Sequence, residues 1–138
     1  MSKREQVIYE QYRELRTNGW GITDTGSYIK PNSGSESLPH LVAKTAAAKV
    51  CIDQGFTVAS EVENAHNGKE ADILAYGLEG RKPIAIELEN SLDEETKDRK
   101  LRHYHIQPVS EVYVIDLDEW TNNDPEWLYE YIQEVTGL

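Results

Sequence analysis

ADILAYGLEGRKPIAIELE, residues 71–89, decides the reading of this chain. Two apolar runs, ADILAY and PIAIELE, flank the turn-like segment LEGRK. Both read as strands, and a symmetric hairpin register sets Asp72 opposite Glu87. Strand side chains alternate faces, so Glu87 and Glu89 emerge on one side. The pairing draws three carboxylates onto one sheet face. Asp72 and Glu87 interrupt runs that are otherwise apolar, where a stray carboxylate is expensive to bury. Carboxylates crowded in this way repel one another unless a cation lies among them. Mg²⁺ or Mn²⁺ fits such a site, because both are hard ions held by carboxylate oxygens and completed by water.

The flanking segments supply the rest of the sheet. FTVASEVE (56–63) is a strand candidate, and EVYVIDL (111–117) is short, β-branched and reads as buried. A helix begins near Ser37 to His40, with Ser37 as cap and Pro39 in the first turn, runs through LVAKTAAAKVCID and stops at Gln54-Gly55. Its alanines permit close packing on a sheet. DEETKDRKLRHY (93–104) has acids in its first turn and cations in its last, matching the helix dipole. Asp124-Pro125 opens a last helix with Trp127, Leu128, Tyr131, Ile132 and Val135 on its apolar stripe. Residues 3–17 also read as helical, with Val7, Ile8, Tyr12 and Leu15 at three- and four-residue spacings. The Gly-, Ser- and Asn-rich stretch that follows, including PNSGSES, makes that helix an appendage on a long loop. The expected fold is α/β: a meander of three strands, a helix, and a fourth strand returning in parallel by a right-handed crossover. One domain covers 1–138, with an extension at 1–36, a core at 37–117 and a C-terminal helix at 118–138.

A net charge of −11 over 138 residues repels nucleic acid at ordinary salt. It suits concentrated salt, as in a halophilic archaeon or its virus, where the repulsion is screened. An acidic cytosolic protein has the same composition, and composition does not choose between them. The absence of a long apolar run speaks against a membrane span, and the charged N-terminus against a signal peptide. The single cysteine, Cys51, excludes an internal disulfide and reads as a buried small hydrophobe. The chain therefore reads as soluble and cytoplasmic.

The element order, with Asp72 on the second strand and Glu87 on the third, resembles the PD-(D/E)XK nuclease superfamily, the restriction-endonuclease-like fold. The likeness covers roughly residues 37–117. It implies an αβββαβ core with a central four-stranded mixed sheet, and a metal-dependent DNA nuclease that hydrolyses phosphodiester bonds with Mg²⁺ or Mn²⁺. Asp72 and Glu87 are similar to its metal-binding carboxylates, Leu88 to its carbonyl ligand, and Glu61 to a further acid. The departure is Glu89, which stands where the superfamily usually keeps a lysine that orients the attacking water. The pattern is most similar to the branch that includes competence protein CoiA: His40-x-x-x-Lys44, Glu61, Asp72, IELEN-Ser91, and the Arg99 to Tyr104 stretch. His40 and Lys44 share one face of a helix that borders the active site in that fold. Lys44 is thus the candidate substitute for the missing lysine, and His40 a substrate contact. Many proteins of this fold act as dimers, and the N-terminal helix is a candidate dimer element.

Lys97, Arg99, Lys100 and Arg102 form the one dense basic cluster. They read equally as phosphate contacts, with Arg99 and Lys100 foremost, or as helix cations paired with Glu94, Glu95 and Asp98. Tyr104 and Leu101 read as packing, Trp127 as core, and Trp20 as either an exposed or a dimer contact. There is no phosphate loop, no dinucleotide fingerprint, no serine elbow and no zinc spacing. A rival reading keeps the scaffold without the chemistry: a catalytically inactive DNA-binding or assembly module, favoured by Glu89 and the net charge.

Overall fold

The computed structural model describes residues 1–32 and 35–138; Ser33 and Gly34, within the sequence PNSGSES, lie outside the described residues. Helix α1 spans Lys3–Thr17, opened by a capping box between Ser2 and Glu5. Helix α2 spans Leu38–Asp53, and Ser37 caps it by accepting the His40 N–H. Strands β1 (Thr57–Glu63), β2 (Glu70–Tyr76) and β3 (Ile84–Glu89) follow in succession. Helix α3 (Glu94–Tyr104) starts where Asp93 accepts the Thr96 N–H. Strand β4 is Glu111–Asp116, and α4 (Pro125–Thr136) is capped by Asp124 and closed by left-handed Gly137. Each helix thus begins at a side chain able to hold a free N–H.

The sheet order is β1-β2-β3-β4, antiparallel at the first two joins and parallel at the last. This is a mixed four-stranded sheet with helices on both faces, as the order of elements led one to expect. On one face α2 and α4 bury Ala43, Ala47, Val50, Leu128 and Ile132 against Ile73, Ile84, Ile86 and Ile115. On the other, Leu15, Trp20, Ile22, Tyr104 and Val109 cover Leu74, Tyr76 and Ala85. Small residues let α2 lie close to the strands, the packing its sequence favours. In α4 the burial falls to Leu128 and Ile132, while Trp127 is half-buried and Val135 stays exposed. Among the described residues, no helix is long and apolar enough to cross a membrane.

The N-terminal helix is not the detached appendage that its loop suggested. Leu15 is fully buried, and Gln11 clamps the β2–β3 turn by accepting the Gly77 N–H and donating to the Arg81 carbonyl, both at 2.8 Å. Trp20 is 1% exposed, pairs in an isolated bridge with Asn64 and donates its indole N–H to the Ile106 carbonyl. It is a core residue, not a surface contact, because Gly19 and Gly21 are bonded to the chain beside β1. A detached helix would take Leu15 out of the cluster that covers this sheet face.

Gly77 makes the docking testable. Its φ is +83°, and a Cβ there would lie 2.7 Å from Ile8 Cγ1. Gly77→Ala combines left-handed strain with this clash and is expected to cost about 1–3 kcal/mol. The loss should show in urea unfolding, with faster amide exchange in α1 than elsewhere. An unchanged midpoint with unchanged exchange would mean that α1 is not held there.

Candidate metal and active site

The strand ladder opens at the carboxylates. The last paired residues of β2 and β3 are Ile73 and Ile86, so one further step sets Asp72 against Glu87, the register read from the hairpin. There the side chains take over from the ladder. The Asp72 N–H donates to Glu87 Oε2 at 2.5 Å, and the Leu88 N–H donates to Asp72 Oδ2 at 2.9 Å. On the opposite side, Ser60↔Ile73 and Val62↔Ala71 bracket Glu61, which therefore faces Asp72 in register. Glu61 has φ +52°, and the regular pairing skips it. Glu61, Asp72 and Glu87 thus form one row across three strands.

This row borders a cleft of about 320 Å³ at the end of β3. Asn32, His40, Glu61, Glu70, Asp72, Glu87, Leu88, Glu89, Asn90 and Lys100 line it. Glu87 is 2% exposed. Burial first, and then the charge of Asp72, push its carboxyl up to about 8, outweighing the Asp72 N–H and Lys100. Lys100 reaches in from α3, with Nζ 3.4 Å from Glu87 Oε1 and 2.9 Å from Glu89 Oε1. One ammonium touching both glutamates shows that they share a face, as strand alternation requires. Tyr104 helps to aim it: the ring lies under Lys100, and the hydroxyl donates to the Glu70 carbonyl at 2.9 Å.

Lys44 occupies a different place. It is wholly buried, and its ammonium bonds the Lys30 carbonyl at 2.8 Å, Glu36 at 2.9 Å and Glu61 at 2.8 Å. An ammonium has three N–H donors, so this set uses them all. Burial lowers its pKa, and the two carboxylates more than offset this and hold it cationic; burial, with Asp72 and Glu70, raises Glu61 against the pull of Lys44. Lys44 therefore stands behind Glu61 and braces it, with no donor left for the cleft.

His40 lies over the cleft. Its Nε2 is 3.3 Å from the Leu88 carbonyl and 3.6 Å from Asp72 Oδ2, and Nδ1 pairs with Glu36. Asp72 chiefly holds the imidazole at about 9; burial pulls the other way and Glu36 adds to the rise. An imidazolium thus stands beside two oxygens that the resemblance assigns to a metal.

Glu36 is the residue that sequence reading missed. It joins His40 to Lys44, and its spacings of four and eight residues ahead of them were the available signal. It went unread because it precedes the helix, inside a loop-like stretch. The basic cluster divides. Lys100 turns inward, whereas Arg99 and Arg102 are exposed and form no ion pair with Glu94, Glu95 or Asp98 among the described residues. Cys51 is buried, and burial pushes its thiol up to about 12, as an inert core residue requires.

Among the described residues, no three His, Cys, Asp or Glu side chains are grouped so as to hold a metal ion by themselves. The oxygens at the strand opening come from two carboxylates and one carbonyl, those of Asp72, Glu87 and Leu88. Mg²⁺ is commonly held by one or two carboxylates with waters, so these donors fit it in kind and number.

Fold and cleft together define an α/β protein with a carboxylate-lined site at the end of a mixed sheet. No protein-family model, no curated protein and no solved structure matches the chain.

Proposed function

We propose that this chain is a metal-dependent DNA nuclease with a restriction-endonuclease-like core, hydrolysing phosphodiester bonds at Asp72 and Glu87. One observation carries the reading: a buried Glu87 beside Asp72, at the point where β2 and β3 part. Two carboxylates crowded there are costly, since Glu87 stays raised even with Lys100 beside it, and an open cleft gives a divalent cation and a substrate access. Asp72, Glu87 and the Leu88 carbonyl would hold Mg²⁺ or Mn²⁺, with Glu61 acting through water. When bound, the ion supplies Lewis acidity to a phosphoryl oxygen and lowers the pKa of water.

Lys100, rather than Lys44, then takes the part of the superfamily's lysine. It projects from α3 to the residue that replaces it, Glu89, and its donors face the cleft. Its charge offsets that of the phosphate, and an N–H can hold a water or a phosphoryl oxygen. Glu61 is positioned by Lys44, and Lys44 by Glu36. Lys100→Met should slow cleavage by about 10²–10³, the usual loss on removing one such donor. Metal affinity should stay level or rise, since a competing cation is gone. Cleavage at the wild-type rate in this variant would return the role to another residue.

The rival, an inactive module on the same scaffold, is favoured by the lack of a third ligating side chain among the described residues. Plasmid, branched and single-stranded DNA incubated with Mg²⁺ or Mn²⁺ in high salt separates the two. Cutting that vanishes in Asp72→Ala and Glu87→Ala is the expected result. No cutting under any metal or salt, with no metal bound in calorimetry, would overturn the enzyme reading.

A further inference from the structure

We infer that Lys69, Arg99 and Arg102 form a clamp for a nucleic-acid phosphate backbone, built from the β1–β2 turn and the outer face of α3. Arg99 and Arg102 belong to the basic cluster of the sequence reading; Lys69 joins them only in space. The inference deepens the nuclease proposal and rests on it for the identity of the polyanion.

The first argument is the pairing that does not occur. Glu95 and Arg99 are four residues apart, as are Asp98 and Arg102, in the acid-first order that favours helix ion pairs. At the same spacing Lys49 and Asp53 do pair, at 2.5 Å, and so do Glu36 and His40. Arg99 and Arg102 do not, and neither does Lys69, among the described residues. Lys69, Arg99 and Arg102 are thus exposed cations whose donors are free for an anion among the described residues.

The second argument is convergence. Arg99, Arg102 and His103 fall at i, i+3 and i+4 and share a face, whereas Lys100 and Tyr104 face the sheet. Asn67 in the β1–β2 turn donates to the His103 carbonyl at 2.8 Å, tying the turn that carries Lys69 to the end of α3. The His103 imidazole feels the result. Burial first, and then the charges of Lys69, Lys100, Arg99 and Arg102, hold its pKa below the usual value. Lys100 on the same helix and Glu70 next to Lys69 line the cleft, so a backbone held by the clamp would run toward Asp72 and Glu87. Contacts of this kind position a strand without reading its bases.

The test is anisotropy of a labelled oligonucleotide, single-stranded and duplex, in EDTA across about 50–200 mM salt. The Lys69→Gln/Arg99→Gln/Arg102→Gln variant should bind at least about tenfold more weakly at the low-salt end, and its slope of log affinity against log salt should flatten by about 2–3. A control of equal charge, Lys3→Gln/Arg13→Gln/Lys82→Gln, should keep the wild-type slope. Equal losses in both variants, or no binding by the wild type, would overturn the clamp. Cutting assays separate this from the nuclease reading. A patch-dependent affinity without metal-dependent cutting keeps the clamp and removes the enzyme. Cutting and binding unchanged in the triple variant keep the enzyme and remove the clamp.

Discussion

Lys44→Ala is expected to lose about 3–5 kcal/mol, the typical cost of leaving buried charge without its partner. That is a large part of the 5–15 kcal/mol or so that holds a domain together. Lys44 is 0% exposed, and the side chains of Glu36 and Glu61 that face it are each 4% exposed. Its removal strands two carboxylates and the Lys30 carbonyl around a void. Lys44→Met fills the void but leaves the charges, so it should also destabilise strongly. Adding Glu36→Gln and Glu61→Gln to Lys44→Met should recover much of the loss, since a neutral, filled site no longer carries unpaired charge. Urea unfolding followed by circular dichroism at fixed salt is the measurement. A Lys44→Ala midpoint within about 1 kcal/mol of wild type would show that Lys44 is solvated rather than braced.

Glu87→Gln should move activity and stability in opposite directions. In the metal-free protein Glu87 is raised from 4.5 to about 8, so between those values the folded state binds more protons than the unfolded one. Stability must therefore fall as pH rises through that window. His40 acts in the same sense: raised from 6.5 to about 9, it contributes stability that is full below the lower value and lost through the upper. Glutamine keeps the size of the side chain and carries no charge, so it removes the Glu87 part of the slope. The variant should be more stable than wild type near pH 8 by on the order of a few kcal/mol. It should also lose metal-dependent cleavage, and Mg²⁺ should raise the melting temperature of the wild type but not of the variant. Thermal melts across the pH range, with and without Mg²⁺, read all three effects. A variant less stable than wild type at pH 8, or one that still cuts, contradicts the assignment of Glu87. A stabilising change at a costly buried carboxylate is the trade-off expected of a ligand-binding site.

Much of the architecture was legible because it is local. Ser37, Asp93 and Asp124 mark helix starts by side-chain bonds to nearby N–H groups. The two runs around LEGRK carried the register, since strand alternation and a short turn leave few pairings that bury both. The opposition of Asp72 and Glu87 followed from that register. Glu61 entered the row by its strand position, although its left-handed backbone gave no signal in the sequence. The docking of α1 was hidden because it depends on Gly77 and Arg81, some 70 residues away in the case of Arg81. Composition marked residues 18–37 as loop, and a loop can hold a helix against a sheet as readily as release it.

The sequence by itself determined the order of elements, the mixed four-stranded sheet and the pairing of Asp72 with Glu87. Each of these rests on spacing along the chain, and caps, alternation and short turns act within a few residues. The tertiary structure alone decided which lysine meets which acid. Lys44 and Lys100 are both long, both near acids and both on helices that flank the sheet, and nothing in their spacing separates them. Burial separates them: α2 presses Lys44 into the interior, where Glu36 and Glu61 use every donor, while α3 leaves Lys100 at the rim against Glu87 and Glu89. An ammonium takes the carboxylates that the packed chain brings to it, and those partners come from three places in the chain: the segment before α2, β1 and β3.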